Sequence, residues 1–181
     1  MIPKEMFFVK GVGVHKDKLG SFEMALRKAG IEKYNLILVS SIFPPNCKIV
    51  TASKGLTTLQ PGQILHCVMA KSETHEPNRL ISAAIGFAIP KDKNLYGYLS
   101  EHHSHGEKGK VAADYAEDLA ASMLASTMGI EFDVDKAWDE RKQIYKTKKH
   151  IFQTRSICQS AEGDKLGLWT TVLAAAVLVV E

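Results

Sequence analysis

The sequence predicts an α+β domain with two or three helices and six to eight strands. Three observations lead to this fold class. The chain has 181 residues, which suits one domain. Apolar runs of strand length alternate with turn residues, and one segment alone has the apolar periodicity of a long helix. The composition is 45% hydrophobic and 24% charged, which excludes a disordered, collagenous or coiled-coil chain.

The N-terminal part is predicted to hold two strands around one helix. Residues 6–15 are apolar and β-leaning, broken only by two glycines, which indicates a strand. Ser21 is a residue type that caps helices and Gly30 is one that ends them, so we expect a helix between the two. Residues 35–41 form a short apolar strand. The two prolines that follow end this strand, because proline has no amide hydrogen to donate.

The remainder is predicted to hold five strands and the long helix. Residues 109–128 carry small or apolar side chains at the i, i+3, i+4 spacing, and Gly129 ends this helix. The histidine-rich run just before it is expected to be a solvated loop. Strands are expected at residues 62–71, 80–89, 94–101, 146–156 and 168–180.

Cysteine use, terminal segments and charge bear on compartment and partners. The three cysteines form no C-x-x-C pair and cannot all pair within one chain, which favours a reduced, cytoplasmic protein. The N-terminus lacks the apolar segment of a signal peptide. The apolar run at residues 172–180 is too short to span a bilayer. A net charge of +3 does not predict nucleic-acid binding. We therefore expect neither a membrane nor a nucleic-acid partner.

Two polar runs were weighed as sites. In the run EHHSH at residues 101–105, two histidines would share one face of a strand, but no spaced Cys or His completes a zinc ligand set, so no metal is expected. Glu101 ends an apolar strand, which suits either a carboxylate emerging into water or one placed at a site. The lysines between residues 142 and 149 favour a solvated face over a phosphate contact.

Ser40 and Ser41 end the predicted strand at residues 35–41 and precede a rigid Pro-Pro corner. Strand-end hydroxyls commonly bond to the backbone, and the spacing alone favours that role over a catalytic one. No phosphate-binding glycine loop and no G-x-S-x-G nucleophile motif is present.

Three ordered blocks of the chain resemble the pyruvoyl-dependent arginine decarboxylases. The first is the helical segment from Phe22 to AGI at residues 29–31. The second runs from NLI at residues 35–37 to SSIFPP at residues 40–45. The third comprises ISAAI and AIPKDK, which lie between residues 81 and 93 and lead to Glu101. Three blocks in order are more specific than any one motif.

The resemblance implies a single-domain proenzyme that cleaves itself between Ser40 and Ser41. The Ser41 hydroxyl would attack the Ser40 carbonyl, and elimination and hydrolysis would leave a small chain, 1–40, and a large chain, 41–181. The large chain would begin with a pyruvoyl group made from Ser41, in place of pyridoxal phosphate and without a metal. Asn35 matches an asparagine implicated in processing.

The resemblance also implies how L-arginine would become agmatine and CO2. The substrate amine would form a Schiff base with the pyruvoyl ketone, and Glu101 would be the proton donor. Glu23 stands where the family has an aspartate that binds the guanidinium group, and its arm is one methylene longer. Leu19 and Ile42 match apolar positions along the substrate's aliphatic stem.

The fold and assembly implied by the resemblance are a four-layer αββα sandwich of antiparallel sheets and a homotrimer, or a dimer of trimers, with sites between subunits. Two alternatives stay open. The same chemistry could act on another basic amino acid, ornithine or lysine, because Glu23 replaces the usual aspartate. The chain could instead be an uncleaved relic that binds a ligand without turnover.

Overall fold

The computed structural model of the chain describes residues 1–129 and 152–180. The lysines between residues 142 and 149 and the first part of the predicted strand at 146–156 lie outside these ranges. Within them the elements in chain order are β1 Glu5–His15, α1 Lys18–Ala29, β2 Asn35–Leu38, β3 Ile42–Phe43, β4 Lys48–Ile49, α2 Ala52–Thr57, β5 Ile64–Thr74, β6 Leu80–Pro90, β7 Gly97–His105, α3 Gly109–Thr127, β8 Phe152–Glu162 and β9 Trp169–Val179.

The strands form two sheets. The first sheet has the order β2-β5-β9-β1-β4, and the second has the order β3-β7-β6-β8. Every pair in the second sheet is antiparallel. In the first sheet, the edge pairs β2–β5 and β1–β4 are parallel, whereas β9 pairs antiparallel with both of its neighbours. The chain passes from the first sheet to the second between β2 and β3, a point on which the site depends.

Three apolar interiors separate four layers. Side chains from both sheets, among them Val68, Ile85 and Val172, form the interior between the sheets. The opposite face of the first sheet packs against α1 and α2, as the cluster that contains Phe7 shows. The outer face of the second sheet packs against α3, where Leu124 is buried. The order helix, sheet, sheet, helix confirms the predicted sandwich fold class. The sheets are antiparallel, as expected, except that the two parallel edge pairs make the first sheet mixed.

Small residues let the helices lie close to the sheets. A side-chain carbon added at Gly86 of β6 would stand 2.2 Å from the carbonyl oxygen of Ala116 in α3. One added at Gly11 of β1 would stand 2.1 Å from the carbonyl oxygen of Ala25 in α1. Both glycines are therefore required by a backbone that approaches closely rather than by a turn.

Two local predictions were wrong. Helix α1 begins at Lys18, so Ser21 lies inside it, where its hydroxyl donates to the Lys18 carbonyl at 2.7 Å instead of capping the helix. The histidine-rich run is not a loop but the end of β7, because β6 offers it a pairing partner as far as His105. None of the helices in the described ranges is long and apolar enough to cross a membrane.

Candidate active site

The Ser40–Ser41 peptide lies where the chain crosses between the two sheets. On its N-terminal side, the Val39 amide donates to the Cys67 carbonyl of β5 at 3.0 Å, in the first sheet. On its C-terminal side, the Ser41 carbonyl accepts from the Leu99 amide of β7 at 2.8 Å, in the second sheet. The peptide is therefore held from both sides by backbone hydrogen bonds of ordinary length.

A three-residue turn is centred on Ser41. The Ile42 amide donates to the Ser40 carbonyl at 2.9 Å, which is the i to i+2 bond of a γ-turn. The φ angle of Ser41 is not positive, so the turn is of the common inverse type. Phe43 is buried between the sheets and fixes the chain just beyond the turn. One amide donor thus points at the carbonyl that precedes Ser41.

A cavity of about 430 Å³ adjoins this turn. Ser40 and Ile42 line it on one side, and the N-terminal residues Ile2 and Pro3 line it on another. Among the described residues of the lining, which are largely apolar, His66 has the one titratable side chain. The cavity lies next to the Ser40–Ser41 peptide, but neither Ser41 nor Glu101 is among its lining residues.

Glu101 lies on β7 close to this peptide. Side chains two apart on a strand share a face, so Glu101 points to the same side as Leu99, into the space between the sheets. The Leu99 amide donates a hydrogen bond to the Ser41 carbonyl, so the two residues are paired across the strands. Glu101 is then the diagonal neighbour of Ser41, and such neighbours lie about 7–8 Å apart. Ser41 and Glu101 are therefore diagonal neighbours within one chain.

The surroundings of Glu101 favour its neutral form. The carboxyl reaches the surface of the single chain, but neighbouring protein atoms still desolvate it, and this raises its pKa above the ordinary value. The charge of His103 and a hydrogen bond from the Met69 backbone oppose that rise. The Cys67 thiol has a pKa raised to about 11, first by desolvation and then by the charge of Glu101.

The two histidines beside Glu101 face opposite ways. His102 points to the start of α3. Its Nε2 atom lies 3.0 Å from the carboxylate of Glu107, which precedes the helix, and its ring centre lies 4.4 Å from that of Tyr115 in α3. His103 shares the face of Glu101. In the described residues, no group of three His, Cys, Asp or Glu side chains could hold a metal ion.

Asn35 lies at the far end of β2 from Ser41. Its side-chain amide donates to the Gly62 carbonyl at 2.8 Å. The four residues of β2 alone span about 10 Å at the usual strand rise, and the chain continues beyond them before it reaches Ser41. The structure therefore does not bring Asn35 to Ser41 within one chain.

Leu19 and Glu23 lie one turn apart on the outer side of α1. Leu19 is 77% exposed. The Glu23 carboxylate accepts from the Nε atom of Arg27 at 2.8 Å. Helix α1 packs on the first sheet, whereas Ser41 and the half-exposed Ile42 are bound to β7 of the second. These substrate-binding candidates are thus split between two places on the chain.

Sequence reasoning missed the backbone groups of the site. The amides of Ile42, Met69 and Leu99 contact the Ser40 carbonyl, the Glu101 carboxyl and the Ser41 carbonyl, respectively. Every residue except proline carries such a donor, so residue type gives no signal for one that is functional. The register of β3 on β7 would have identified Leu99, but a two-residue strand has no periodicity to predict it.

Known proteins resemble this chain over nearly its whole length. A relative named pyruvoyl-dependent arginine decarboxylase, from Methanococcoides burtonii, is 63% identical over 179 residues, 99% of each chain. A relative named pyruvoyl-dependent arginine decarboxylase 2, from Methanosarcina acetivorans, is 61% identical over 99% of this chain and 98% of its own length. A probable pyruvoyl-dependent arginine decarboxylase from Chloroherpeton thalassium is 57% identical over 98% of each.

The family profile described as pyruvoyl-dependent arginine decarboxylase matches residues 5–181, a range that contains the Ser40–Ser41 turn and Glu101. With this match and relatives above 55% identity, the chain belongs to the pyruvoyl-dependent arginine decarboxylase family.

Proposed function

We propose that this chain is a proenzyme that cleaves itself between Ser40 and Ser41, and that the cleaved protein converts L-arginine to agmatine and CO2. The observation that carries the proposal is the position of the Ser40–Ser41 peptide. It connects the two sheets, and the Ile42 amide donates a hydrogen bond to its carbonyl oxygen. The Glu101 carboxyl, whose pKa is raised, lies on the neighbouring strand β7.

Cleavage would begin with attack of the Ser41 hydroxyl on the Ser40 carbonyl. The new ester bond forms as the peptide C–N bond breaks, and the Ile42 amide lies where negative charge develops on the carbonyl oxygen. Loss of the Ser41 α-proton would then release Ser40 with a carboxylate. Water would displace ammonia from the remaining group and leave a ketone. The products are residues 1–40 and residues 41–181.

The residues around Ser41 fit a pyruvoyl group. The group keeps the three carbons of Ser41, and its amide carbonyl stays opposite the Leu99 amide. When formed, it binds the substrate's α-amine and, with its amide carbonyl, accepts the electron pair released as CO2 leaves, the role of pyridoxal phosphate in other decarboxylases. The chemistry proposed here uses no pyridoxal phosphate and no metal.

Glu101 would return a proton to the substrate's α-carbon. A general acid must hold its proton near the working pH, and an unperturbed glutamate is ionised there. Desolvation, which raises the pKa of Glu101, moves this carboxyl toward that requirement. The position of Glu101 two residues beyond Leu99, about 7–8 Å from residue 41 as a diagonal neighbour, supports this role.

Glu23 would bind the substrate guanidinium group, and Leu19 and Ile42 would contact its aliphatic stem. In the single chain, the Glu23 carboxylate already accepts a hydrogen bond from the guanidinium group of Arg27, which shows the contact it can make. Arginine offers such a group, whereas ornithine and lysine offer an ammonium group. This favours arginine over the other basic amino acids, despite the longer arm of Glu23.

We propose that the working form is a homotrimer, or a dimer of trimers, with the site between copies. Leu19, Glu23 and Asn35 are exposed or partnered away from Ser41 in a single chain. A neighbouring copy that presents these residues to Ser41 and Glu101 would complete the site. Asn35 would then act in processing across that interface.

A denaturing gel and mass spectrometry test the proposal. Cleavage predicts two bands of about 4–5 and 15–16 kDa, in proportion to 40 and 141 of the 181 residues of a 20.0 kDa chain. The larger fragment should begin with a ketone at position 41 and lack an N-terminal α-amino group. CO2 release should be fastest with arginine when arginine, ornithine and lysine are compared. One band at 20.0 kDa would favour the uncleaved relic.

A further inference from the structure

The carbonyl of residue 41 stays in place when the chain is cleaved. It belongs to the peptide that joins residue 41 to Ile42, so it remains on the large chain. In the structure its oxygen accepts from the Leu99 amide at 2.8 Å, near the middle of the range for such bonds. Cleavage of the preceding peptide breaks no covalent bond of the donor N–H or of the acceptor C=O in this hydrogen bond.

The Leu99 amide is directed to residue 41 alone. Successive amides of an antiparallel strand point to opposite neighbours, so the amides of Tyr98 and Ser100 point to β6, and that of Leu99 points to β3. The Leu99 side chain is fully buried and Phe43, beside it, is nearly so. A hydrogen bond in such a water-poor place is stronger than one in water.

We propose that the Leu99 amide is the donor that stabilises negative charge on the carbonyl oxygen of residue 41 during decarboxylation; this rests on the proposed function. When the substrate's bond to its carboxylate breaks, CO2 leaves as a neutral molecule. The electron pair of that bond stays with the α-carbon and spreads through the conjugated linkage to the residue 41 oxygen. The Leu99 proton stays on its nitrogen, and Glu101 supplies the proton that the α-carbon takes up afterwards.

Two amide donors would thus serve two successive reactions. The Ile42 amide donates to the Ser40 carbonyl, which is attacked during cleavage and stays with residues 1–40. The Leu99 amide donates to the residue 41 carbonyl, which adjoins the α-carbon deprotonated late in cleavage and takes up charge again in every turnover. Loss of the Leu99 donor should therefore slow decarboxylation and the elimination step of cleavage, but leave the attack on the Ser40 carbonyl intact.

The test replaces Leu99 by its α-hydroxy acid through nonsense suppression, so that an ester oxygen stands in place of the N–H and the side chain is unchanged. The variant should still give both fragments, but more slowly, because loss of the Ser41 α-proton also places charge on the residue 41 carbonyl. Its kcat for arginine should fall by about 10²–10³, the usual cost of losing one such donor, with KM unchanged. Carbon-13 at the serine carbonyls gives a readout that needs no substrate. In the cleaved variant, the residue 41 carbonyl signal should move upfield, because it has lost a hydrogen bond.

The matched control replaces Tyr98 by 4-hydroxyphenyllactic acid. This variant also loses one strand amide, but that amide points to β6, so neither kcat nor the residue 41 signal should change. A cleaved Leu99 variant with the wild-type kcat, or with an unshifted residue 41 signal, would overturn the proposal. If wild-type protein is cleaved but releases no CO2 from arginine, the proposed function fails, while the carbon-13 signal still reports the Leu99 contact.

Should the Leu99 variant not fold, hydrogen exchange of wild-type protein decides. The Leu99 amide should remain protected from exchange in the cleaved protein, because its acceptor is retained. Fast exchange of this amide after cleavage would show that the contact is lost before turnover and would refute the proposal.

Discussion

The Ser40–Ser41 crossing and the outer side of α1 are built in opposite ways. At the crossing, backbone hydrogen bonds to both sheets hold the chain, and Phe43 is buried directly beyond it. On α1, Leu19 is 77% exposed and Glu23 contacts only a neighbour on its own helix among the contacts of the described residues. Groups proposed to make and break bonds are fixed within one chain, whereas groups proposed to recognise arginine face outward.

This contrast indicates which changes should act within one chain and which across two. A change at the crossing should alter cleavage or kcat in the chain that carries it. A change on α1 should alter substrate binding in the site of a neighbouring copy. The predictions below test that division.

The largest effect is expected for Ser41→Ala. Without the hydroxyl, nothing at position 41 can attack the Ser40 carbonyl, so the chain should stay uncleaved and inactive. Ser40→Ala is the matched control, because it keeps the carbonyl that is attacked and should still be cleaved. A denaturing gel after long incubation measures both. Cleavage of the Ser41→Ala chain would contradict the assignment of Ser41.

Glu101→Gln should lower kcat by about 10²–10⁴, the usual contribution of a positioned general acid. The amide of glutamine has nearly the same shape as the carboxyl but does not give up a proton near neutral pH. Release of CO2 from arginine measures the effect, with fully cleaved protein selected by mass spectrometry. A kcat equal to that of wild-type protein would show that Glu101 is not the proton donor.

Glu23→Gln should raise KM for arginine by about 10–100-fold, because hydrogen bonds to charged groups contribute about 1.5–3 kcal/mol. If the site spans two copies, unfolding and refolding this variant together with Ser41→Ala should restore sites of wild-type KM. Such sites combine residue 41 of one chain with Glu23 of the other. Each variant refolded by itself is the control. No recovery in the mixture would place Glu23 and Ser41 in one chain.

A smaller effect, on pH dependence, is expected for His103→Ala. Glu101 acts in its protonated form, so kcat should fall as pH rises through its pKa. The charge of His103 lowers that pKa, and its removal should move the fall to higher pH. Cys67 on β5 is the other titratable group coupled to Glu101, and its thiol stays neutral there because its pKa is about 11.

His102→Ala is the matched control for this pH profile. His102 points away from Glu101 toward Glu107 and Tyr115, so its removal should leave the fall in kcat at its wild-type pH. An equal shift in both variants, or none in His103→Ala, would contradict the assignment of the two faces of β7.

The same two regions show what the sequence could and could not predict. Apolar patterns predicted β1, β6, β9 and α3 because the structure buries the apolar side chains that form those patterns. Strands β6 and β9 are buried on both faces and appear in the sequence as nearly continuous apolar runs. The histidines of β7 carry no such signal, since their strand conformation depends on pairing with β6, a contact distant in sequence. Periodicity therefore failed where tertiary pairing determines the local structure.

The site was predictable only as residue identities. Ser41, Glu101 and Glu23 were identified by resemblance, because a motif preserves residue types in order. The distances between them depend on where the chain crosses between sheets and on the register Ile42 to Tyr98, which no motif encodes. The separation of Glu23 from Ser41 follows from α1 covering the first sheet while Ser41 joins the second.

The smallest effect is expected for Arg27→Gln. If the substrate guanidinium must displace Arg27 from the Glu23 carboxylate, removing Arg27 should lower KM for arginine, by a few-fold at most because exposed ion pairs are weak. In a Glu23→Gln background, the same change should leave KM unaltered, since no carboxylate remains for which to compete. Steady-state kinetics of the two single variants and the double variant measure this coupling. A KM that falls equally in both backgrounds would show that Arg27 acts through general charge and not through Glu23.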